Sequence, residues 1–476
     1  MKIVLKHKIL EVISDIAFRH KTECYVVGGF VRDTLMKRPT KDIDILVVGN
    51  GIELAEKVAK HLNCNVHVFK NFGTAQIKTP SVEIEFVGAR KESYDRSSRK
   101  PVVENGTLED DLDRRDFTIN ALAASLNPLH YGEITDRFGG IDDINNCILR
   151  TPLDPGITFS DDPLRMMRAV RFASQLGFSI EEKTMAAIKA NAHRLEIISA
   201  ERMTDEFSKI LLSPLPSVGI QLMAECGLMS FFIPELLLLK GAEYVDGQGH
   251  KDNFSHTLQV VDNVRKKTEN IWLLWTALLH DIAKPRTKRF SKETGWTFHG
   301  HEIAGSKMAA EIFKRIRLPL GEPLRYVRKL ISLHLRPAAL TEEEITDSAV
   351  RRLLFEAGDD IEDLMILAEA DITSKNKEKV MRYLANFELL KEKMKDVEER
   401  DRIRNWQPPV SGEEIMKVFG LPPCKIIGDL KSALKEAILN GEIKNDRQEA
   451  WIYLINKASE ISVEVKQNPE GWNSGG

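Results

Sequence analysis

Two adjoining stretches decide the fold: Tyr-Val-Val-Gly-Gly-Phe-Val-Arg-Asp at residues 25–33 and Asp-Ile-Asp-Ile at residues 42–45. The β-branched run before the glycines predicts a strand, and the spacing after them predicts a helix over residues 30–36. Gly28 and Gly29 let the backbone approach a bulky anion, and the start of the helix offers unpaired N–H groups to phosphate oxygens. Asp42 and Asp44 lie two apart in an extended run, so both carboxylates point to the same face of a strand.

This pair of carboxylates is typical of a magnesium site. Mg²⁺ prefers carboxylate, water and substrate phosphate as ligands. Two such ions can activate an attacking hydroxyl and stabilise a leaving pyrophosphate. A third carboxylate is expected on a neighbouring strand, where Glu83 and Glu85 are both available. Either the glycine pair or the aspartate pair alone is typical of an ordinary turn or strand end, but their ordered combination indicates a catalytic site.

Composition limits the class of protein. The 476 residues predict about three domains, and 42% apolar with 29% charged residues is ordinary for a globular chain. The net charge of −3 gives no overall attraction to nucleic acid, so any such contact must come from local basic patches. The five cysteines form no Cys-X-X-Cys pair, which favours free thiols in a reducing compartment. The longest apolar run has nine residues and the lysine-rich start has no signal-peptide core. The sequence therefore predicts a cytoplasmic protein that contacts no membrane; the oligomeric state stays open.

Secondary-structure patterns divide the chain into a mixed head and a helical remainder. Strands are predicted at residues 25–27, 43–48, 66–69, 75–78 and 82–87, with helices at 30–36 and 51–62 between them. Beyond about residue 161 the apolar residues recur every three or four positions, which predicts helices. The predicted fold is thus an α+β head at residues 1–150, followed by helical segments at residues 151–245, 246–380 and 381–466.

Histidines and aspartates recur in the predicted apolar helices of the second half. Ser255 is expected to cap a helix that begins at the next residue, and a second helix is predicted over residues 271–283. A buried aspartate without a partner is unfavourable, so several such residues in apolar helices make sense if they share a cation. The candidate ligands are His256, His280, Asp281, His301, His334 and Asp371.

The head resembles the class II tRNA nucleotidyltransferase and bacterial poly(A) polymerase family. The glycine pair and the two aspartates are similar to its first motif, and four further motifs follow in order at residues 114–121, 136–143, 161–172 and 200–211. The resemblance implies a DNA polymerase β-like nucleotidyltransferase head, a helical neck and body at 151–245 that binds RNA and nucleotide, and a tRNA-binding tail at 381–466. It also implies that Asp42, Asp44 and Glu85 are catalytic, with Glu85 preferred over Glu83. The residues implied to bind the nucleotide are Gly28, Gly29, Arg32, Arg115, Asp116, Asn120, Asp162, Arg165 and Arg168.

The resemblance implies that the fourth motif selects the nucleotide. Asp162 and Arg165 are three apart and are expected to share one helical face. A carboxylate beside a guanidinium can present acceptors and donors to the edge of C or A, and the resemblance implies that the pair replaces a nucleic-acid template. An exposed helix salt bridge is the ordinary alternative for such a pair. Asp161 stands where the family usually has Glu.

The histidine and aspartate pattern resembles the HD phosphohydrolase superfamily. The resemblance implies that His256, His280, Asp281 and Asp371 hold one metal, with His301 and His334 available for a second metal or for phosphate. Imidazole mixed with carboxylate favours Mn²⁺, Ni²⁺ or Co²⁺ over Mg²⁺. The segment 246–380 is therefore expected to be an HD domain with phosphohydrolase activity.

Together these features predict an enzyme that adds C and A from CTP and ATP to the 3′ end of tRNA, with Mg²⁺ in the head and a second divalent metal in the HD domain. A poly(A) polymerase and an A-only or CC-only enzyme are alternatives. Residues 71–75 and 90–94 resemble the tRNA enzymes more than the poly(A) polymerases, and the loop at 91–108 has full length, unlike that of CC-only enzymes. A different class, an HD nucleotide hydrolase with a non-catalytic head, is disfavoured by the intact Asp42 and Asp44.

Overall fold

The computed structural model describes residues 1–40, 42–70, 73–80, 82–93, 102–241, 244–245, 248–249, 252–342, 345–373, 376–401 and 406–469. Asn71, Phe72 and Tyr94, which belong to the pattern of the tRNA enzymes, lie outside these residues, as does the stretch 94–101 of the loop at 91–108.

The chain forms two compact units. One comprises Met1–Leu238 with Arg315–Leu318, and the other comprises Leu239–Lys314 with Pro319–Gly476. The finer division into four segments stays a prediction.

The first unit contains the mixed head and the helices that follow it. Its strands are β1 Glu23–Val27, β2 Asp42–Val48, β3 Val66–Phe69, β4 Thr74–Lys78, β5 Glu83–Gly88, β6 Arg90–Ser93, β7 Val102–Asn105, β8 Leu122–Ser125, β9 Ile134–Asp136, β10 Ile148–Leu149 and β11 Ser179–Ile180. Its helices are α1 Lys8–Arg19, α2 Gly29–Leu35, α3 Gly51–Leu62, α4 Leu108–Asp113, α5 Gly140–Asn146, α6 Pro155–Asp161, α7 Leu164–Leu176, α8 Glu182–Asn191, α9 Ala200–Leu211 and α10 Pro216–Glu225. Short 3-10 helices occur at Thr118–Asn120, Ala192–Ile197, Leu228–Phe231 and Pro234–Leu239.

A seven-stranded sheet forms the head, in the order β3-β4-β5-β2-β1-β8-β9. Strands β2 and β5 are parallel, and their register sets Asp44 beside Glu85. Along β2, Ile43 and Ile45 are buried in a core that also contains Leu10 of α1 and Leu54 of α3, so these helices cover one face of the sheet. The alternation of a strand then turns the aspartates of β2 to the opposite face.

The predicted α+β head is confirmed, and its five predicted strands agree with β1–β5 to within two residues at each end. The head elements that were not predicted are α1, α4, α5, β6–β10 and the 3-10 helix Thr118–Asn120. The Leu-Ala-Ala-Ser sequence of β8 is buried along its whole length. Such a central strand lacks the polar alternation by which a strand is recognised in a sequence.

The second unit is mostly helical. Its helices are α11 Asn253–Arg265, α12 Ile271–Leu279, α13 Lys284–Thr287, α14 His301–Arg315, α15 Glu322–Leu333, α16 Leu335–Glu342, α17 Asp347–Ala357, α18 Ile361–Ala370, α19 Lys377–Asp401, α20 Gly412–Phe419, α21 Lys425–Asn440 and α22 Arg447–Glu460, with a 3-10 helix at Gly358–Asp360. Its strands are the short pairs β12 Tyr244–Val245 with β13 Gln248–Gly249, and β14 Arg289–Ser291 with β15 Gly295–Thr297. A separate apolar core, including Trp406, Phe419, Leu434 and Trp451, lies among its last helices. Within the described ranges, no helix has both the length and the apolar character needed to cross a bilayer.

Two helix boundaries in this unit differ from those predicted. Helix α11 begins at Asn253 and its cap is Asp252, whose carboxylate accepts a hydrogen bond from the Ser255 backbone N–H, so the expectation that Ser255 is the cap was wrong. Aspartate and serine are equally good caps, and the sequence offers both within three residues. Helix α12 ends at Leu279 rather than at residue 283, with His280 as its C-terminal cap.

Candidate active sites

A cleft of about 660 Å³ opens in the first unit, on the side of the sheet to which the β2 aspartates point. We call it the head cleft. All nine residues predicted to bind the nucleotide line it: Gly28, Gly29, Arg32, Arg115, Asp116, Asn120, Asp162, Arg165 and Arg168. Asp42 and Asp44 line it as well. Residues that are up to 140 positions apart in the sequence therefore meet in one cavity.

Glycine is required at residue 28, immediately before α2. Gly28 has a φ of 69°, which belongs to the left-handed region. A Cβ atom at this position would lie 2.8 Å from Nη1 of Arg115. The absence of a side chain at Gly28 therefore allows the Arg115 guanidinium to reach the cleft beside Asp44.

The carboxylates of the head form a row across two strands. Asp42 and Asp44 of β2 are in register with Glu83 and Glu85 of β5. Glu83 lies 2.9 Å from Nζ of Lys78 and accepts a hydrogen bond from Gln76, so its charge is already paired. Burial, together with the neighbouring Glu85 and Asp42, raises the pKa of Asp44 to about 6 against the opposing charge of Arg115. Hard oxygen donors with this excess of negative charge fit a divalent cation such as Mg²⁺.

The inner end of the cleft is held by a chain of hydrogen bonds. Arg32 of α2 donates to Oδ1 of Asn120 at 2.7 Å, and the Asn120 amide donates to Oδ1 of Asp116 at 3.0 Å. Arg168 of α7 donates from Nε to the other Asp116 oxygen at 2.8 Å. Burial works against ionisation of Asp116, but Arg168 and Asn120 outweigh it and hold the pKa of this carboxyl at about 2. Three of the predicted motifs are therefore joined through one ionised carboxylate.

Two carboxylates that were not predicted as site residues position the arginines of the cleft. Asp111 is fully buried and forms ion pairs with Arg114 and with Arg115, the latter at 2.9 Å. Glu206 of α9 lies 3.0 Å from Nε of Arg171 and 3.7 Å from Nη1 of Arg168. The sequence contained a signal for Asp111, since a carboxylate three and four residues before two arginines faces both on one side of a helical turn.

The expected placement of Asp162 and Arg165 on one helical face was wrong. Helix α6 ends at Asp161, and Asp162 is extended, with φ −131° and ψ 96°. Pro163 explains this break, because a proline disfavours the helical conformation of the residue before it. Asp162 instead caps the start of α7, where its Oδ1 accepts from the Leu164 N–H at 3.2 Å. Its other oxygen lies 3.6 Å from Nη2 of Arg202, and Arg165 follows in the first turn of α7.

The six predicted metal ligands of the second unit also come together, in what we call the histidine–aspartate cluster. Nε2 of His256 lies 2.8 Å from Asp371 and 3.6 Å from Asp281. Nε2 of His280 lies 3.3 Å from Asp281 and 3.6 Å from Asp371. On the other side of Asp281, its Oδ1 lies 3.2 Å from Nε2 of His301. The His334 ring completes the cluster, with Nε2 at 3.9 Å from the same Oδ1 and 3.3 Å from Nε2 of His301.

The outer nitrogens of these histidines fix the orientation of the rings. Nδ1 of His280 lies 2.8 Å from the Ala277 carbonyl, and Nδ1 of His301 and His334 contact the carbonyls of Phe298 and Ile331 at 2.8 and 2.7 Å. A carbonyl can only accept, so Nδ1 carries the hydrogen in all three rings. Their Nε2 atoms therefore face the aspartates, which is the orientation of metal-binding imidazoles whose second nitrogen is anchored.

The charge of the cluster favours a cation. Burial lowers the pKa of His280, but the Asp281 and Asp371 carboxylates overcome it and raise the value to about 10. Burial, followed by repulsion from His280, lowers the pKa of His334 to about 4. Buried Nε2 of His280 and Oδ1 of Asp281 form no hydrogen bond with any described residue. Two carboxylates surrounded by imidazoles whose Nε2 atoms point inward fit a transition-metal cation, which would replace the Nε2 proton of His280.

Lys284 is a close neighbour of this cluster that was not predicted. Its Nζ lies 2.6 Å from Oδ2 of Asp281. The two residues are three apart across the start of α13, which is the spacing of a helical ion pair, so the sequence contained the signal. Lys284 partly neutralises the carboxylate shared by all four rings.

Comparison with known proteins agrees with this architecture. Residues 24–150 match the poly A polymerase head domain, residues 177–239 match a probable RNA and SrmB-binding site of polymerase A, and residues 253–376 match the HD domain. The chain is 31% identical over 364 residues to the A-adding tRNA nucleotidyltransferase of Deinococcus radiodurans, covering 74% of this chain and 80% of that protein. It is 41% identical over 224 residues to the CCA-adding enzyme of Anoxybacillus flavithermus, covering 47% of this chain and 54% of that protein. It therefore spans only about half the length of this second relative.

The fold is shared with a solved structure. A CCA-adding enzyme in an apo form superimposes with a TM-score of 0.62 at 23% identity, covering 97% of this chain and 96% of that one. At this level of identity the likeness concerns the fold.

Proposed function

Because this chain belongs to the family of tRNA nucleotidyltransferases and poly(A) polymerases, we propose that it adds C and A from CTP and ATP to the 3′ end of tRNA without a nucleic-acid template. One observation carries the proposal. The head cleft joins Asp42 and Asp44, a set of arginines, and the Asp162–Arg165 pair in one cavity. Glu85 lies in register with Asp44 on the neighbouring strand. Relatives of both the CCA-adding and the A-adding kind resemble the chain.

Each group in the cleft has a chemical task in this proposal. Asp42, Asp44 and Glu85 would hold Mg²⁺, which when bound makes the attacking 3′ hydroxyl more acidic and stabilises the pyrophosphate that leaves. Arg32 and Arg115 face the same cavity and supply the positive charge that a triphosphate requires. The hydroxyl of the tRNA end attacks the α-phosphate, and the bond to pyrophosphate breaks.

The base is selected by the side chains at the start of α7. Asp162 offers carboxylate acceptors, Arg165 offers guanidinium donors, and Arg202 restrains Asp162 from α9. Hydrogen bonds of this charged kind discriminate strongly between base edges because the wrong base leaves a charged group unpaired. The same pair can accept either C or A if its side chains rearrange between two rotamers.

The test is a set of tRNA transcripts that end before CC, after CC and after CCA, each incubated with labelled CTP or ATP. We expect CTP to be added to the first transcript, ATP to the second, and neither to the third. ATP addition to the second transcript alone would identify an A-only enzyme, CTP addition without ATP addition a CC-only enzyme, and extension of the third by many A residues a poly(A) polymerase.

The histidine–aspartate cluster supports a second activity, a metal-dependent phosphohydrolase. His256, His280, Asp281 and Asp371 would hold one cation, with His301 and His334 available for a second or for phosphate. A bound transition metal supplies a nucleophilic water at neutral pH. The protein contributes the anchored rings and the charge of Lys284, whose Nζ lies 2.6 Å from Oδ2 of Asp281. The proposed preference is for Mn²⁺, Ni²⁺ or Co²⁺.

A further inference from the structure

A basic hairpin adjoins the histidine–aspartate cluster, and apart from Lys284 its residues have no part in the functions proposed above. It comprises residues 284–298, namely α13, β14, β15 and the turns beside them. Its first nine residues contain five cations and no acid, in a chain whose net charge is −3: Lys284, Arg286, Lys288, Arg289 and Lys292. Arg286, Arg289 and Lys292 are exposed. A local basic patch on an acidic chain is what attracts a polyanion.

Aromatic rings are interleaved with these cations on one face of the hairpin. Phe290 pairs with Trp296 across the two strands, and their rings lie 5.1 Å apart at 61°. Nζ of Lys288 lies 4.3 Å from the centre of the Trp296 ring, and Nζ of Lys284 lies 5.7 Å from that of Phe298. Trp296 and Phe298 are two apart in an extended segment and so share this face. Arg289, in register with Thr297, belongs to the opposite face.

The aromatic face leads directly into the cluster. Lys284 contacts both the Phe298 ring and the Asp281 carboxylate, the latter at 2.6 Å. The Phe298 carbonyl accepts the hydrogen bond from Nδ1 of His301 and also one from the Thr287 hydroxyl, at 2.8 and 3.3 Å. The aromatic face and the cluster are therefore adjacent, with Lys284 in contact with both.

We propose that the basic hairpin binds the single-stranded 3′ end of an RNA and delivers its terminal phosphate to the histidine–aspartate cluster. This inference rests on the phosphohydrolase function proposed above and names its substrate as an RNA strand rather than a free nucleotide. Half-buried rings next to ammonium groups are the combination that binds single strands, because bases stack on the rings while the cations contact phosphates. The single base of a free nucleotide would stack on one ring, whereas three rings line this face: Phe290, Trp296 and Phe298.

The test compares two substrates of the full chain with Mn²⁺: a hexaribonucleotide ending in a 2′,3′-cyclic phosphate, and a 2′,3′-cyclic mononucleotide. We expect the wild-type protein to prefer the hexamer by about ten-fold or more in kcat/KM, since stacking of even one base has an effect of this size. Trp296→Ala should remove about ten-fold of that preference, and Trp296→Phe, which keeps a ring, should restore most of it. Equal preference in wild type and Trp296→Ala would overturn the inference.

Two adjacent cations provide a matched control. Lys288→Ala changes the aromatic face and Arg289→Ala the opposite face, with the same loss of one charge. Binding of a fluorescent hexamer ending in a 3′-phosphate, followed by anisotropy, should weaken in Lys288→Ala, with a salt slope lower by about 1. Arg289→Ala should have the smaller effect, and equal effects would overturn the inference. If neither cyclic substrate is hydrolysed, the phosphohydrolase function fails, and this binding comparison alone decides whether the hairpin binds RNA. Competition by an acidic peptide as effective as that by RNA would assign the surface to a protein partner instead.

Discussion

The Arg168 guanidinium lies 2.7 Å from the Asp116 carboxylate, and this contact joins α7 to the segment that follows α4. Arg168 also lies 5.4 Å from the centre of the Phe172 ring, one turn later in α7. Arg165 lies one turn earlier in the same helix and lines the cleft. The position of Arg165, which we propose contacts the base, is therefore set through the carboxylate that also holds Asn120 and Arg32.

This contact predicts a pH dependence of stability. The pKa of Asp116 is about 2 in the folded protein and 3.8 in its ordinary state. A carboxyl whose pKa is lowered on folding contributes stability above the unfolded value and loses it as the pH falls through the folded value. The shift corresponds to about 2 kcal/mol. Asp116→Asn should therefore lower the free energy of unfolding by about that amount at pH 5.

Urea unfolding of both proteins between pH 5 and pH 2.5 checks this expectation. The difference between wild type and Asp116→Asn should shrink as the pH falls from about 4 toward 2, because both then carry an uncharged group at residue 116. A difference that stays constant over this range would show that the asparagine disturbs packing and that the ion pair contributes nothing.

The carboxylate row predicts an ordered loss of nucleotide addition. Asp42→Ala and Asp44→Ala should each abolish addition at any Mg²⁺ concentration, since each removes a hard ligand on the face of β2 that lines the cleft. Glu85→Gln should also lose most activity. Glu83→Gln is its matched control, because Glu83 lies on the same strand but is paired with Lys78. Activity is measured with labelled CTP and ATP on tRNA transcripts, and unchanged melting temperatures show that the fold is intact. Equal loss in Glu83→Gln and Glu85→Gln would leave the third carboxylate unassigned.

The sequence predicted the parts of the head in which local pattern and chemistry coincide. Strands β1–β5 show β-branched or alternating apolar residues, and the glycine pair marks the turn before a helix. The two aspartates follow at the start of a strand. The six candidate ligands of the histidine–aspartate cluster were identified because polar residues occur among the apolar residues of these helices, and the structure brings them together. Their distances were not accessible, because they depend on how α11, α12, α14 and α18 pack.

The sequence failed where one residue has two local roles. Asp162 was placed on a helical face by its spacing from Arg165, but Pro163 between them breaks the helix, and the side chain caps α7 instead. Asp111 was overlooked because a buried carboxylate resembles any exposed helix acid until its partners are known. Lys284 was overlooked because a lysine that pairs with a buried carboxylate resembles any exposed helix lysine until the structure shows its partner.

The Asp162–Arg165 pair predicts that Arg165 affects the selectivity among nucleotides more than the rate of addition of the best nucleotide. Arg165→Ala should impair discrimination among the four nucleotides by about ten- to a hundred-fold, since each lost charged hydrogen bond contributes about 1.5–3 kcal/mol. Addition of the best nucleotide should fall less. Arg165→Lys keeps the charge without the planar fork, so it should regain rate but not selectivity. The measurement is kcat/KM for each nucleotide on a transcript ending before CC, and an equal loss for all four would reduce Arg165 to a structural residue.

The two sites lie in different compact units, and we expect them to be chemically independent. The double variant His280→Ala with Asp281→Ala removes two candidate ligands of the cluster and every contact of Asp281, while the 2.8 Å contact between His256 and Asp371 remains. It should lose Mn²⁺ binding in a calorimetric titration and all hydrolysis of a 2′,3′-cyclic nucleotide, while addition of CTP and ATP stays within about two-fold of wild type, as expected for sites that share no residues. His299→Ala, which changes an exposed histidine two residues before His301, is the control and should affect neither activity.

A single conservative variant separates loss of metal binding from misfolding. It is needed because the double variant leaves Lys284 without its partner at Asp281. Asp371→Asn keeps the size of the side chain and lies at the more exposed edge of the cluster, where 26% of its side chain is accessible. It should weaken Mn²⁺ binding and hydrolysis together without lowering the melting temperature by more than a few degrees, a shift of about 1 kcal/mol. If the cluster only ties helices together, both variants will lower the melting temperature while wild-type protein binds no Mn²⁺ and hydrolyses no cyclic or terminal phosphate. Loss of nucleotide addition in a folded Asp371→Asn protein would show instead that the two sites are coupled.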